Sequence, residues 1–274
     1  MRYDKPKVVS IKKIIEENSR VKSFLFDLEI QAKPGQFVMV WIPGYDEKPF
    51  GVILKDGAGL MITVAAVGRS TKALHQMKAG NLIGIRGAYG SHFHLPSEAK
   101  SIALVAGGYG MVPLAFLAQE ARKKNINVEL FLGARTQKEL LFASWMKEIG
   151  VKLHLSTDDG SVGHHGFVTE PFAEYVKNKQ TDQVYVVGPE IMEYKVAQIC
   201  YKKQVPFEVS VERYMKCGLG ICGQCCVDNT GWRMCVEGPI INGEDLKKII
   251  EFGKYHRTAS GKVEYYPWVK KTKN

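Results

Sequence analysis

Five of the six cysteines fall between Cys217 and Cys235, and no other feature restricts this 274-residue chain as strongly. Cys217, Cys222 and Cys225 have the spacing C-x4-C-x2-C, and Cys235 follows at a greater distance. That spacing suits a [2Fe–2S] cluster, whose irons take soft thiolate ligands. Gly218, Gly220 and Gly223 let the backbone wrap closely and turn N–H groups toward the sulfurs. A structural zinc site is the competing reading, but zinc favours paired C-x2-C knuckles and only one is present. Cys226 lies next to Cys225 and could replace it as third ligand; the x2 spacing favours Cys225. Cys200, outside the group, reads as a core thiol on a helix.

The rest of the chain divides by hydrophobic period. Up to about Leu95, short alternating runs such as Ser23–Ile30, Gln36–Ile42 and Leu60–Val67 are separated by Gly- and Pro-bearing turns. Such spacing predicts an antiparallel β-barrel, with a helix only around Ser70–Met77. From about Lys100 to Gln204 continuous apolar runs alternate with helical periodicity, which predicts a doubly wound α/β unit with a parallel sheet. The expected organisation is multi-domain: 1–97 barrel, 98–206 α/β, 207–246 a small cluster domain, and 247–274 a basic aromatic tail.

Composition excludes several classes. With 45% hydrophobic and 24% charged residues the chain can build real cores. No run approaches the roughly 18 apolar residues a membrane span needs, and the N-terminal stretch lacks a signal-type apolar region. A cytoplasmic location is the expectation. The net charge of +10 is scattered rather than blocked, which disfavours nucleic acid.

Gly107, Gly108 and Gly110 join a predicted strand to a predicted helix, with Pro113 in its first turn. Glycines there admit a phosphate to the helix N-terminus, although such a turn can also be purely structural. Two later loops, around Asp158 and around Gly188 and Pro189, fall at the same sheet edge, where open α/β sheets bind ligands. Asp158 is placed to accept from a ribose hydroxyl, and Asp158-Asp159-Gly160 equally reads as an ordinary turn.

In this order the segments resemble the ferredoxin–NADP reductase superfamily. With the C-terminal cysteines, the chain is most similar to electron-transfer subunits of NAD-linked dihydroorotate dehydrogenases, from about Val8 to Ile241. The most specific stretch runs from Glu212 through Cys235 to Pro239. The resemblance implies FAD, a [2Fe–2S] cluster and NAD as co-substrate. It places the family's Arg-Pro-x-Ser flavin motif on Lys48, Pro49, Phe50 and Gly51. Lys for Arg keeps the charge but loses bidentate phosphate binding, and Gly for Ser leaves the flavin N5 region to backbone groups. Thr63, Val64 and Ala65 match the segment along the ribityl and adenine side. Ser70 and Thr71 match the pyrophosphate contact, and Gly107, Gly108, Gly110 and Pro113 match the nicotinamide fingerprint.

The resemblance further implies an FMN-containing catalytic subunit as partner in a hetero-oligomer, and no side chain acting as acid or base. Arg213, Lys216 and Arg233 are candidate docking charges beside the cluster. Subunits of cytosolic hydrogenases or transhydrogenase-like complexes use the same modules, and a redox-sensing protein with a degenerate flavin site is a further alternative. Anaerobic protein should carry about two irons and two sulfides per chain. Cys235→Ser should lose that iron, whereas Cys226→Ser should retain most of it; the reverse pattern would overturn the ligand assignment.

Overall fold

In the computed structural model, which describes residues 5–57 and 59–269, six strands close an antiparallel barrel. They are β1 (Lys7–Asn18), β2 (Val21–Phe26), β3 (Phe37–Trp41), β4 (Glu47–Lys55), β5 (Gly59–Ala65) and β6 (Leu82–Tyr89), in the order β1-β2-β5-β4-β3-β6. One helix, α1 (Arg69–Gln76), bridges β5 and β6. Side chains alternate across each strand, so the barrel sorts its apolar residues into two sets. Phe24, Phe26, Val38, Val40, Ile62, Val64, Ile83 and Ile85 fill the interior. Leu25, Ile53 and Met61 point outward into the core of the next unit, and Phe37 and Met39 into that of the cluster region. One barrel thus supplies walls to two neighbours.

The central sheet contains β7 (Ser101–Gly107), β8 (Asn127–Ala134), β9 (Lys152–Thr157), β10 (His164–His165), β11 (Gln183–Val187), β12 (Phe207–Ser210) and β13 (Ile240–Asn242). Their order is β10-β9-β8-β7-β11-β12-β13, and only β13 is antiparallel. Helices α2 (Met111–Lys123), α3 (Ala143–Glu148), α4 (Thr169–Asn178) and α5 (Glu190–Lys203) form the crossovers. Residues Ile102 to Ala106 of β7 are almost completely enclosed. A strand covered on both faces has no polar side, hence its unbroken apolar run.

The sequence boundary at 206/207 meets a structural correction. Phe207–Ser210 and Ile240–Asn242, assigned from sequence to the cluster unit, are ladder strands of the central sheet. Strand β12 is only four residues long, too short to announce itself by period. The cysteine segment is therefore an excursion from one sheet edge that leaves at β12 and returns at β13. After it come α6 (Gly243–Leu246) and a hairpin of β14 (Tyr255–Arg257) and β15 (Val263–Tyr265).

One buried charge cluster fastens this excursion. Arg213 donates from Nη1 to Glu190 Oε2 at 2.7 Å and from Nε to Glu251 Oε1 at 2.6 Å. All three side chains are at most 8% exposed. Glu251 Oε2 accepts the Asp228 N–H at 2.7 Å, and Glu190 accepts the Gly253 N–H at 2.6 Å and the Tyr266 hydroxyl at 2.9 Å. Helix α5, the cysteine segment and the tail thus meet at one guanidinium. The sequence expectation that Arg213 is a surface docking charge is corrected here: it is interior, because two carboxylates remote in sequence compensate it. Arg233 also differs, forming a bidentate pair with Glu237.

The tail packs on its own chain. Tyr255 and Arg257 bond the Asp228 carboxylate at 2.9 and 3.0 Å, and Trp268 Nε1 donates to Gly253 O at 3.0 Å. Breaking a buried pair leaves a charge uncompensated, so Glu251→Ala should lower stability by about 3–5 kcal/mol in urea titrations. A change under about 1 kcal/mol would mean that the cluster contributes little.

Candidate functional site

A cavity of about 940 Å³ lies between the barrel and the C-terminal edge of the central sheet. Its size is at the upper end for small-molecule sites, which suits an extended ligand. From the barrel, Pro49, Phe50 and Gly51 of β4 and Thr63, Val64 and Ala65 of β5 face it. Thr71, in the first turn of α1, also lines it. Its hydroxyl accepts the N–H groups of Val67 and Gly68, at 3.0 and 2.9 Å, and so fixes the loop entering the helix.

From the sheet, Gly107, Gly108, Gly110 and Pro113 form the wall after β7, and Gly188 and Pro189 the wall after β11. Strands β7 and β11 are adjacent, yet the chain leaves them toward opposite ends of the sheet. That makes this edge the topological switch point, where the two crossovers part and leave a crevice. The two loops are pressed together there. A Cβ on Gly110 would stand 2.1 Å from Val187 O, and one on Gly107 only 2.7 Å from Pro189 Cδ. Asp158, at the end of β9, lines the same cavity.

Two residues singled out from sequence lie outside the cavity wall. Ser70 is buried within α1. Lys48 turns away: its Nζ is 3.2 Å from Asp46 and lies over the Tyr214 ring at 5.7 Å. Arg213, expected as a docking charge, lines the wall instead, and Arg20, in the turn between β1 and β2, and Glu193 lie there without any sequence signal. A charged residue in a turn or on a helix reads as solvated surface from sequence, so nothing singled those two out.

The cysteine segment rests on the barrel. Arg86, held by Glu47 at 2.8 and 2.5 Å, donates to the Cys217 carbonyl at 2.7 Å. A Cβ on Gly218 would stand 2.8 Å from Met39 Cγ, so this loop touches β3 closely. Phe37, which lines the cavity, is within 3.6 Å of the same point. The cavity and the cysteine loop are thus neighbours across one β-strand.

Backbone donors point at the sulfurs. Cys217 Sγ accepts the Leu219 and Cys222 N–H groups at 3.4 and 3.5 Å, and Cys235 Sγ accepts that of Gly220 at 3.2 Å. Burial opposes ionisation of Cys217, yet these donors and Cys222 bring its thiol down to about 7. Cys225, influenced by the Cys235 thiol, is drawn down to about 6, and Cys235 is pushed up in return. The four thiols therefore lie close enough to influence one another's ionisation. The Cys226 thiol is pushed up by burial and by the Cys225 charge. Among the described residues no three His, Cys, Asp or Glu side chains converge as a ready single-ion site. Four soft donors match a two-iron centre, in which each iron takes two thiolates. Cys200 is fully buried, which pushes its thiol up to about 12.

Comparison with known proteins agrees with this geometry. The family model for the iron–sulfur cluster binding domain of dihydroorotate dehydrogenase B matches residues 212–247, and that for an oxidoreductase NAD-binding domain matches residues 104–198. The probable dihydroorotate dehydrogenase B (NAD(+)) electron transfer subunit of Methanocaldococcus jannaschii is 48% identical over 263 residues, 96% of this chain and 100% of the relative. Its counterpart from Pyrococcus furiosus is 39% identical over 93% of this chain and 98% of its own length. Among solved structures, a chain of an NADH-dependent reduced ferredoxin–NADP oxidoreductase has a TM-score of 0.78 at 29% identity. That match covers 90% of this chain and 94% of the other.

The contact between the strand-end loops can be tested by one methyl group. Gly110→Ala should force them apart, lowering stability by about 1–3 kcal/mol and weakening NADH binding at least tenfold in fluorescence titration. Unchanged affinity would show that these loops do not shape the crevice.

Proposed function

Because the chain belongs to the family of electron-transfer subunits of NAD-linked dihydroorotate dehydrogenase B, we propose that it relays electrons between an FMN-bearing catalytic subunit and NAD. The observation that carries this reading is the closeness of the cysteine loop to the cavity, across the Phe37–Met39 segment of β3. When bound, the cluster supplies one-electron transfer and FAD converts single electrons into the hydride that NAD takes up.

The chain's own residues hold and orient these groups. Cys217, Cys222, Cys225 and Cys235 are the proposed cluster ligands, supported by their spacing and by the backbone N–H groups aimed at the Cys217 and Cys235 sulfurs. Pro49, Phe50, Gly51, Thr63, Val64, Ala65 and Thr71 would hold FAD on the barrel side of the cavity. Gly107, Gly108, Gly110, Pro113, Gly188 and Pro189 would admit the dinucleotide at the switch point, with Asp158 accepting from ribose. Lys48, turned to Asp46, and Ser70, inside α1, would act on FAD only through neighbouring backbone. No proton-transferring side chain is required, because the cofactors carry the chemistry.

The catalytic subunit would dock at the cysteine rim, where Cys222 is exposed and Ile221 and Val236 present apolar surface to solvent. Among the described residues no helix is long and apolar enough to cross a membrane, which accords with a cytoplasmic location. Co-expression with an FMN-containing dihydroorotate dehydrogenase catalytic subunit should give a stable complex with dihydroorotate-dependent NAD reduction. Copurification with a nickel–iron hydrogenase subunit instead would overturn this reading.

A further inference from the structure

Glu193, in the first turn of α5, is a buried carboxylic acid, 2% exposed, and it lines the cavity. Its Oε1 accepts the Gly188 N–H at 3.0 Å, which ties it to the loop after β11 at the switch point. The other carboxylate oxygen accepts no hydrogen bond from the described residues. A buried acid of this kind is costly unless something offsets its charge.

The neighbouring groups do not. Arg213, the cation beside it, pairs through Nε and Nη1 with Glu251 and Glu190 while its buried Nη2 has no partner among the described residues, and that cluster carries one more negative charge than positive. Glu190 and Glu212 oppose ionisation of Glu193, and the Tyr266 hydroxyl stands nearby without compensating it. Burial first, then these carboxylates, hold the Glu193 proton to well above the ordinary carboxylate range; the Gly188 N–H and Arg213 offset this only in part. The immediate surroundings of Glu193 thus carry excess negative charge, where a ligand cation would be welcome.

Resting on the reading that NAD binds at this switch point, we propose that Glu193 makes the pocket select the oxidised over the reduced nicotinamide. Its carboxylate pairs with the positive charge that the pyridinium carries and the dihydropyridine lacks. Hydride addition to the ring removes that charge and with it the attraction, so the same residue aids release of the reduced product. The linkage has a definite sign. A cation beside Glu193 favours its ionised form, so NAD⁺ binding expels a proton and NADH binding does not. As pH rises through the raised pKa, Glu193 is already ionised and the expulsion fades.

The test is calorimetric titration of the FAD- and cluster-loaded protein with NAD⁺ and with NADH, in two buffers of different ionisation enthalpy. Wild type should release protons with NAD⁺ only. Glu193→Gln keeps an oxygen for the Gly188 N–H, and should abolish that release. It should also move the NAD⁺/NADH affinity ratio at least tenfold toward NADH, the low end of what an opposite charge within about 6 Å produces. Glu193→Asp, which retains the charge, should keep the selection. An unchanged ratio and unchanged proton release in a folded, flavin-loaded Glu193→Gln protein would overturn the inference while leaving NAD binding intact. Failure of either dinucleotide to bind wild type would overturn the nucleotide reading itself.

Discussion

The ion cluster of Arg213 with Glu190 and Glu251 is the constraint on which the remaining geometry depends. Taking three charged groups out of water is unfavourable, and only close mutual pairing offsets it. Each partner comes from a different part of the chain: the start of α5, the strand exit before the cysteines, and the tail. The nicotinamide-side loop, the cysteine loop and the tail are therefore fixed by one group. A weaker link would let the cysteine loop and the cavity drift apart.

A second joint connects the cysteine loop to the barrel. Arg86, bidentate on Glu47, reaches the Cys217 carbonyl, and Gly218 lets the loop lie directly on Met39. Outward residues of β3 serve two purposes here, since Phe37 borders the cavity while Met39 supports the loop. The strand alternation that fills the barrel with Val38 and Val40 necessarily turns Phe37 and Met39 outward. The proximity of the cysteine loop to the cavity is thus a consequence of β-strand geometry.

Legibility from sequence followed the range of the interactions. The C-x4-C-x2-C spacing, the glycines before α2 and the strand–helix alternation are local patterns, and they point to the same elements the structure contains. Strand β12 was hidden because four residues carry no period, and β13 because it follows an irregular excursion. Lys48 and Arg213 misled for a common reason. The sequence shows a charge but not its partner, and Asp46, Glu190 and Glu251 decide where each points. The tail's role was unreadable because its contacts, through Tyr255, Arg257 and Tyr266, all lie far away in sequence.

By itself the sequence determined the chemistry this chain can support: soft thiolates at cluster spacing, a glycine-lined crevice for a dinucleotide, and a barrel-then-α/β order. Residue type and short-range spacing specify these, because thiolate softness and glycine freedom are intrinsic. Only the tertiary structure decided how the parts cooperate. It aimed backbone N–H groups at the Cys217 and Cys235 sulfurs, brought their loop against the cavity wall, buried Arg213 and enclosed Glu193 beside the switch point. Those outcomes depend on desolvation and on charge pairing across long stretches of chain, which acquire definite values only once the chain is folded.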